Sequence, residues 1–325
     1  MALDIDAILD RRQLRRKVSF WRIGALLAFA VAVIATLSAL GAFSQVGKTG
    51  DHIARVSITG TITQDRPLID MLAKIEKDET VKGVILTVNS PGGTTVGGES
   101  IFEAVRRVAE KKPVVSSINM LAASAGYMIA SASDHIVAHR SSIVGSIGVI
   151  FQYPQASDLL DKIGIQVKEI KSSPLKAEPS PFHTPPPGAE AVIKEMVDDS
   201  YNWFVDLITE RRPLNRQQVL TLADGRVFSG DRSLENKLID AVGGELVAKA
   251  WLTKEKGLDE KLEIKDWRPV RPGDGLLFST MVHNFLTGKE PSDLRDLTSR
   301  QVTDNLPAIF PKRVFLDGLL SIWHK

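Results

Sequence analysis

Val114-Val115-Ser116-Ser117-Ile118-Asn119-Met120-Leu121-Ala122-Ala123-Ser124-Ala125-Gly126-Tyr127 opens as an apolar, β-branched run behind Pro113 and then breaks into small residues. The first half has the composition of a strand buried in a sheet, and the change to Ala, Ser and Gly marks delivery into a helix N-terminus. Ser124 stands at the junction, flanked by Ala123, Ala125 and Gly126, which leave its hydroxyl sterically open. Strand–turn–helix geometry presents the nucleophile of the G-x-S-x-G elbow, although this segment is not that motif. The same residues equally suit a small-residue helix packed tightly on its neighbour, with Ser124 an incidental hydroxyl.

The flanking chain alternates strands and helices. Ala54–Ile62 has period-two patterning and reads as a half-buried strand, and Pro67–Lys77 has helical spacing. Val84-Ile85-Leu86-Thr87-Val88 is a near-continuous apolar run of the kind found in strands covered on both faces, and it ends in Asn89-Ser90-Pro91-Gly92-Gly93. A helix follows with Ile101, Val105 and Val108 on one face. After the central stretch come strands at 136–138, 145–150 and 167–170, a helix at 156–163, a proline-rich loop at 177–188 and a long helix over 189–211. Residues 227–244 have the cadence of turn, short helix and closing strand. Strand, helix, strand, helix, strand predicts an α/β fold with a mainly parallel sheet flanked by helices.

Bulk properties narrow the class. The 325 residues are 43% hydrophobic and 25% charged, with no cysteine, which excludes disulfide scaffolds, thiol catalysis and cysteine metal sites. The net charge of +2 is unevenly spread: Arg11, Arg12, Arg15, Arg16, Lys17 and Arg22 against Asp4, Asp6 and Asp10 give +3 in residues 1–22, and leave about −1 for the rest. A near-neutral body gives no electrostatic reason to expect nucleic-acid binding. Ile23–Phe43 is 21 residues without a charge. At about 1.5 Å per residue it is long enough for the roughly 30 Å hydrocarbon layer, and longer than the apolar region of a cleaved signal peptide. The basic cluster before it predicts a cytoplasmic N-terminus, with everything after Phe43 across the membrane. The expected segmentation is a basic tail (1–22), a transmembrane anchor (23–43), a linker (44–51), a catalytic-type domain (52–266) and a C-terminal extension (267–325), begun by Pro269, Pro272 and Gly273. Apolar patches at 276–286 and 314–323 suggest that the extension meets a membrane surface or another subunit.

A nucleophilic serine needs a base and an oxyanion donor. Gly92-Gly93 behind a buried strand would let backbone N–H groups approach an anion, or could simply form a turn. The chain has six histidines (His52, His135, His139, His183, His283 and His324), none in a recognisable triad context, and no H-E-x-x-H spacing for a metal. Lys176, among Pro174, Leu175 and Ala177, is the other candidate base, unless it is an ordinary solvated loop lysine. Lowering a lysine from about 10.4 to about 7.5 takes roughly 4 kcal/mol of differential interaction, which only burial supplies.

The segments Gly83–Gly93, Met120–Tyr127 (M-L-A-A-S-A-G-Y), Gly145–Val149 (G-S-I-G-V) and Ile170–Lys176 resemble the signal peptide peptidase A family in order and spacing, as do 197–201 and 224–228. The similarity spans roughly residues 52–245 and is to the short form, with one catalytic domain per subunit. It implies a ClpP/crotonase-like fold and a membrane-anchored serine endopeptidase degrading cleaved signal peptides, with a catalytic domain outside the cytoplasmic membrane of a bacterium. Residue by residue, Ser124 matches the nucleophile, Lys176 the general base, Ser146 the hydroxyl that orients the lysine and Gly93 the oxyanion-hole donor. The Ala125 N–H, which follows the nucleophile, is a second oxyanion candidate from elbow geometry. Ala177-Glu178-Pro179 departs from the family pattern of Asp and then apolar residues after the lysine. The resemblance further implies a homo-oligomeric ring whose neighbouring subunits complete each site, and no metal or organic cofactor. The alternatives are a non-catalytic membrane scaffold that binds peptides on the same fold and, less well matched to an anchored exported chain, a crotonase-type acyl-CoA enzyme.

Overall fold

The computed structural model describes residues 20–33, 50–271 and 320–322. The chain separates into two compact units, one of residues 1–49 and 270–306 and the other of residues 50–269 and 307–325. In the first, residues 20–33 form a helix whose apolar side chains, Phe20, Trp21, Leu26, Leu27 and Phe29 among them, are all exposed. Among the described residues no helix is long and apolar enough to cross a membrane. Residues 34–43 of the expected anchor lie outside the described residues, as do both tail patches except 320–322.

The second unit is built on an eight-stranded sheet with the path β7-β6-β4-β2-β1-β9, and β5 and β8 branching from β4. The strands are β1 (His52–Thr59), β2 (Val81–Ser90), β4 (Val114–Ala123), β5 (His135–Ala138), β6 (Ile143–Gly145), β7 (Val227–Ser229), β8 (Ala241–Val242) and β9 (Glu263–Trp267). All pairs are parallel except β6 with β7. A short β3 (Gly92–Thr94) follows β2 and pairs antiparallel with β10 (Leu320–Ile322). The mixed α/β class and the mostly parallel sheet agree with the strand–helix alternation of the sequence.

Strand β4 is the centre of this arrangement. One edge is covered by β2, while the other is shared: Val115–Ile118 pair with β5 and Leu121–Ala123 with β6. Asn119 and Met120, at the fork, are exposed. Both faces of the sheet are covered, which is why β2 and β4 read as continuous apolar runs. On one face, helices α1 (Arg66–Lys77), α2 (Thr95–Ala109), α3 (Ala125–Ser131) and α5 (Ala189–Arg211) bury Leu72, Ile75, Ile101, Val105, Met128 and Phe204 against Val84, Leu86, Val88 and Ile118. On the other, α8 (Glu245–Lys254) packs Ala248 and Leu252 onto Ile53, Ile85, Val115 and Val137. Asp65 caps α1 and Thr94 caps α2, each side chain accepting from a backbone N–H in the first turn. Helices α4 (Ser157–Lys162), α6 (Arg216–Leu222) and α7 (Gly230–Glu235) complete the described set.

Two expected strands require correction. The strand over 145–150 ends at Gly145, because Gly145 at φ 107° and Ser146 at φ 50° turn the chain out of the ladder. Residues 167–170 pair with no strand among the described residues, and Val167 and Ile170 are exposed.

Candidate active site

Ser124 follows the last residue of β4 at φ 57°, ψ −121°, a conformation that a residue with a Cβ adopts only under local constraint. The constraints are visible on both sides. Its N–H donates to the Gly145 carbonyl at 2.8 Å, and its carbonyl accepts from the Met128 N–H at 2.9 Å, starting α3. Ser124 is only 1% exposed. The helix behind it is fixed at its far end by two guanidinium groups: Arg106 donates to the Ala132 carbonyl, and Arg211 donates to the carbonyls of Ser131 and Ser133. Positive side chains at a helix C-terminus satisfy orphan carbonyls and oppose the helix dipole. Tyr127, fully buried in the same helix, donates its hydroxyl to the Leu238 carbonyl at 2.8 Å, and burial pushes its pKa above the usual phenol range.

Ser146 is brought beside Ser124 by register. Ala123 is opposite Gly145 in the β4–β6 ladder, so both serines leave neighbouring strands at the same level, each with positive φ. Ser146 is anchored by its N–H donating to the Arg226 carbonyl at 2.8 Å, and it is buried.

Gly93 reaches the same end of the sheet through β2, whose Ser90 lies opposite Ala122 of β4. Ile62 forms a parallel bridge to Gly93, with the Ile62 N–H donating to the Gly92 carbonyl and the Thr94 N–H to the Ile62 carbonyl, both at 2.8 Å. Any Cβ at position 93 would stand 1.8 Å from the Ile62 carbonyl oxygen, so only glycine fits. Gly126 and Gly98 serve the same closeness. A Cβ on Gly126 would meet the Ser90 carbonyl at 2.9 Å, and one on Gly98 would meet the Ala125 Cβ at 3.0 Å. Small residues at these positions let α3 press against the β2–β3 turn and α2, which sets Ala125 and Ser124 beside the glycine edge. The structure therefore brings Ser124, Ala125, Ser146 and the Gly92–Thr94 edge to one end of the sheet.

Lys176 lies on a separate loop segment of the chain, between β6 and α5. It is exposed on a loop, its backbone N–H donating to the Ser173 carbonyl at 3.2 Å, and its amine makes no hydrogen bond or ion pair among the described residues. The loop is braced by a cluster of four charged side chains. Lys171 Nζ lies 2.5 Å from Glu169 Oε2 and also donates to Glu178, while the His183 ring lies 3.2 Å from each carboxylate. Lys171 holds Glu169 and Glu178 below the usual carboxylate range, and the Thr184 carbonyl and Glu169 raise His183. Glu169, Glu178 and His183 have the spacing of a metal-ligand set. The ammonium of Lys171 already supplies the cation between the two carboxylates, so the group fits an internal ion pair rather than a metal centre.

Comparison with known proteins bears directly on these positions. Residues 106–259, which carry Ser124, Ser146 and Lys176, match the family model described as peptidase family S49. A candidate protease of Synechocystis sp. is 34% identical over 69% of this chain and 82% of its own length. A candidate signal peptide peptidase SppA of Enterococcus faecium is 34% identical over 67% of this chain and 68% of its own. The chain belongs to peptidase family S49, the signal peptide peptidase A family. Another relative, a candidate protease of Methanocaldococcus jannaschii, is 39% identical over 55% of this chain and 58% of its own. Membership in the S49 family makes the protein a peptidase with peptide substrates.

Sequence reasoning missed two contributors to the site. Ile62 reads in sequence only as the end of a strand, yet its backbone holds the glycine edge from one side. Residues 320–322 read in sequence as part of an apolar patch, yet they pair with β3. Neither association leaves a local signal, because each joins segments far apart in the chain.

Proposed function

We propose that this S49 peptidase is a serine endopeptidase in which Ser124 is the nucleophile, Lys176 the general base, and the Gly93 N–H, assisted by that of Ala125, the oxyanion donor. The reading rests above all on Ser124: a buried serine held at positive φ on a strand-to-helix junction, beside a glycine edge and a second buried serine. Such a junction aims the hydroxyl away from its own backbone, and the backbone N–H groups around it are fixed before substrate arrives.

In the proposed reaction a neutral Lys176 amine takes the Ser124 proton as Oγ attacks the peptide carbonyl. The oxyanion is held at the Gly93 N–H, the lysine returns the proton to the leaving amine, and water repeats the sequence on the acyl-enzyme. Ser146 orients the amine. Because Lys176 is exposed on its loop, the lysine of a neighbouring copy is proposed to complete each site, as the resemblance to the family implies. The exposed apolar side chains of the same region, Ile163, Ile165, Ile170 and Leu175, suit burial in that contact. The finer assignments, a ClpP/crotonase-like architecture, a homo-oligomeric ring and signal-peptide remnants as substrates, rest on the resemblance to the family. Anchoring in a bacterial cytoplasmic membrane with an extracytoplasmic catalytic domain is supported by the uncharged run Ile23–Phe43 and by the exposed apolar surface of helix 20–33.

The test replaces Ser124→Ala and Lys176→Ala separately and then mixes the two inactive proteins after dissociation. Each variant alone should lose at least about a thousandfold in peptide cleavage. Reassembled mixtures should regain part of it, because some sites then combine an intact serine with an intact lysine. Retention of most activity by either single variant overturns the dyad. A mixture that stays silent assigns both groups to one chain. The scaffold alternative predicts no cleavage by the native chain at all.

A further inference from the structure

The β3 edge carries an occupant that peptidase chemistry does not require. Within a strand, the N–H and C=O of one residue point to the same edge and alternate between neighbours. The Gly92 carbonyl and Thr94 N–H are turned toward Ile62, so the N–H and carbonyl of Gly93 face the opposite edge. On that edge lies β10, antiparallel, with Leu320 opposite Thr94, Ser321 opposite Gly93 and Ile322 opposite Gly92. The alternation makes Gly93 and Ser321 the closely spaced, hydrogen-bonded kind of pair, in which the Ser321 carbonyl receives the Gly93 N–H.

We infer that the C-terminal segment of this chain is an autoinhibitory strand, occupying the glycine edge in place of a peptide substrate. The inference rests on the assignment of Gly93 as oxyanion donor. A substrate carbonyl about to be attacked must reach the same N–H that Ser321 engages. Strand addition suits this role, because its affinity comes from main-chain hydrogen bonds that any extended peptide can make. Belonging to the same chain raises the advantage of the resident strand, because a free peptide must compete with an intramolecular partner. The apparent KM is then raised by the reciprocal of the open fraction, with kcat unchanged.

Two variants test this, a chain ending at residue 306 and the full-length Ser321→Pro, which removes the N–H that would pair with the Gly93 carbonyl. Peptide cleavage and hydrogen exchange at the Gly93 amide are measured on both. The expected result is a gain of at least about tenfold in kcat/KM, carried by KM, with Gly93 exchange faster by a similar factor. Unchanged Gly93 exchange in both variants overturns the inference, whatever the activity. Faster exchange with no cleavage by any form leaves the strand in place and removes the peptidase reading. Cleavage at the native rate with unchanged exchange does the reverse. Loss of residues after Ser321 from the purified native chain, seen by intact mass, would make the segment a substrate and also overturn its role as a resident inhibitor.

Discussion

The α-carbon of Gly93 sits so close to Ile62 that a methyl group added there would fall 1.8 Å from the Ile62 carbonyl oxygen. This contact holds the β3 edge in place without any side chain. Gly93→Ala must therefore push the edge away from Ile62 and displace its outward N–H. On the proposed mechanism the variant loses about 10²–10³ in kcat, the usual cost of one oxyanion donor. Native-like circular dichroism with that loss would localise the damage to the edge, whereas full activity would remove Gly93 from the mechanism.

Ser124 stores backbone strain that glycine would not. At φ 57°, ψ −121° the Cβ is disfavoured, so Ser124→Gly is expected to be more stable than the native chain by about 1 kcal/mol while inactive. Ser124→Ala, which keeps the Cβ, should show no such gain. Thermal unfolding of the three proteins side by side checks the ordering, and a destabilised glycine variant would refute it.

A buried ion pair locks α5 to the β8 end of the sheet. Arg212, 7% exposed, forms a two-pronged contact with Asp240 at 2.8 and 3.0 Å and donates to the Lys237 carbonyl, while Asp240 also accepts from the Ile136 N–H. Arg212→Ala leaves the partly buried Asp240 carboxylate without its main counter-charge, at an expected cost of about 3 kcal/mol. Denaturant unfolding measures it, and a cost below about 1 kcal/mol would show the pair to be solvated.

The loop that carries Lys176 is expected to respond to pH on both sides. His183 is raised above its ordinary 6.5, so its contribution is complete below that value and disappears as pH rises through the folded pKa. Glu169 and Glu178 are lowered from 4.5, so theirs is complete above that value and disappears as pH falls through the folded pKa values. The loop should be tightest between about 4.5 and 6.5. Hydrogen exchange over residues 169–183, corrected for intrinsic rates, should show maximal protection in that window. His183→Ala should flatten the upper limb and shift the lower limb by less, since Lys171 remains the first cause of the low Glu169 and Glu178 values.

The central strand and its serine were legible because β4 is covered on both faces, and composition alone reports that. The same patterning misled at residues 167–170, where Val167 and Ile170 are exposed: apolar spacing records that a segment wants cover but not what covers it. Strand β9, Glu263-Ile264-Lys265-Asp266-Trp267, went unread for the opposite reason. It is an edge strand whose charges, Asp266 among them, find partners such as Arg55, so it needs no apolar alternation. The turn after Gly145 was invisible because positive φ at a serine has no sequence signature. Gly93 was recognisable as a candidate, but the close approach that demands it involves Ile62, 31 positions earlier. For Lys176 the residue type was readable and its exposure on an irregular loop was not.

The exposure of Lys176 has a consequence for the life of the molecule. On the proposed reading, in which a neighbouring copy supplies the lysine, a single chain newly delivered across a membrane does not cleave peptides. If copies complete each other's sites in this way, the rate climbs more steeply than in proportion to the amount of protein made. On the same reading, crowding in the plane of a bilayer raises the activity carried by each chain.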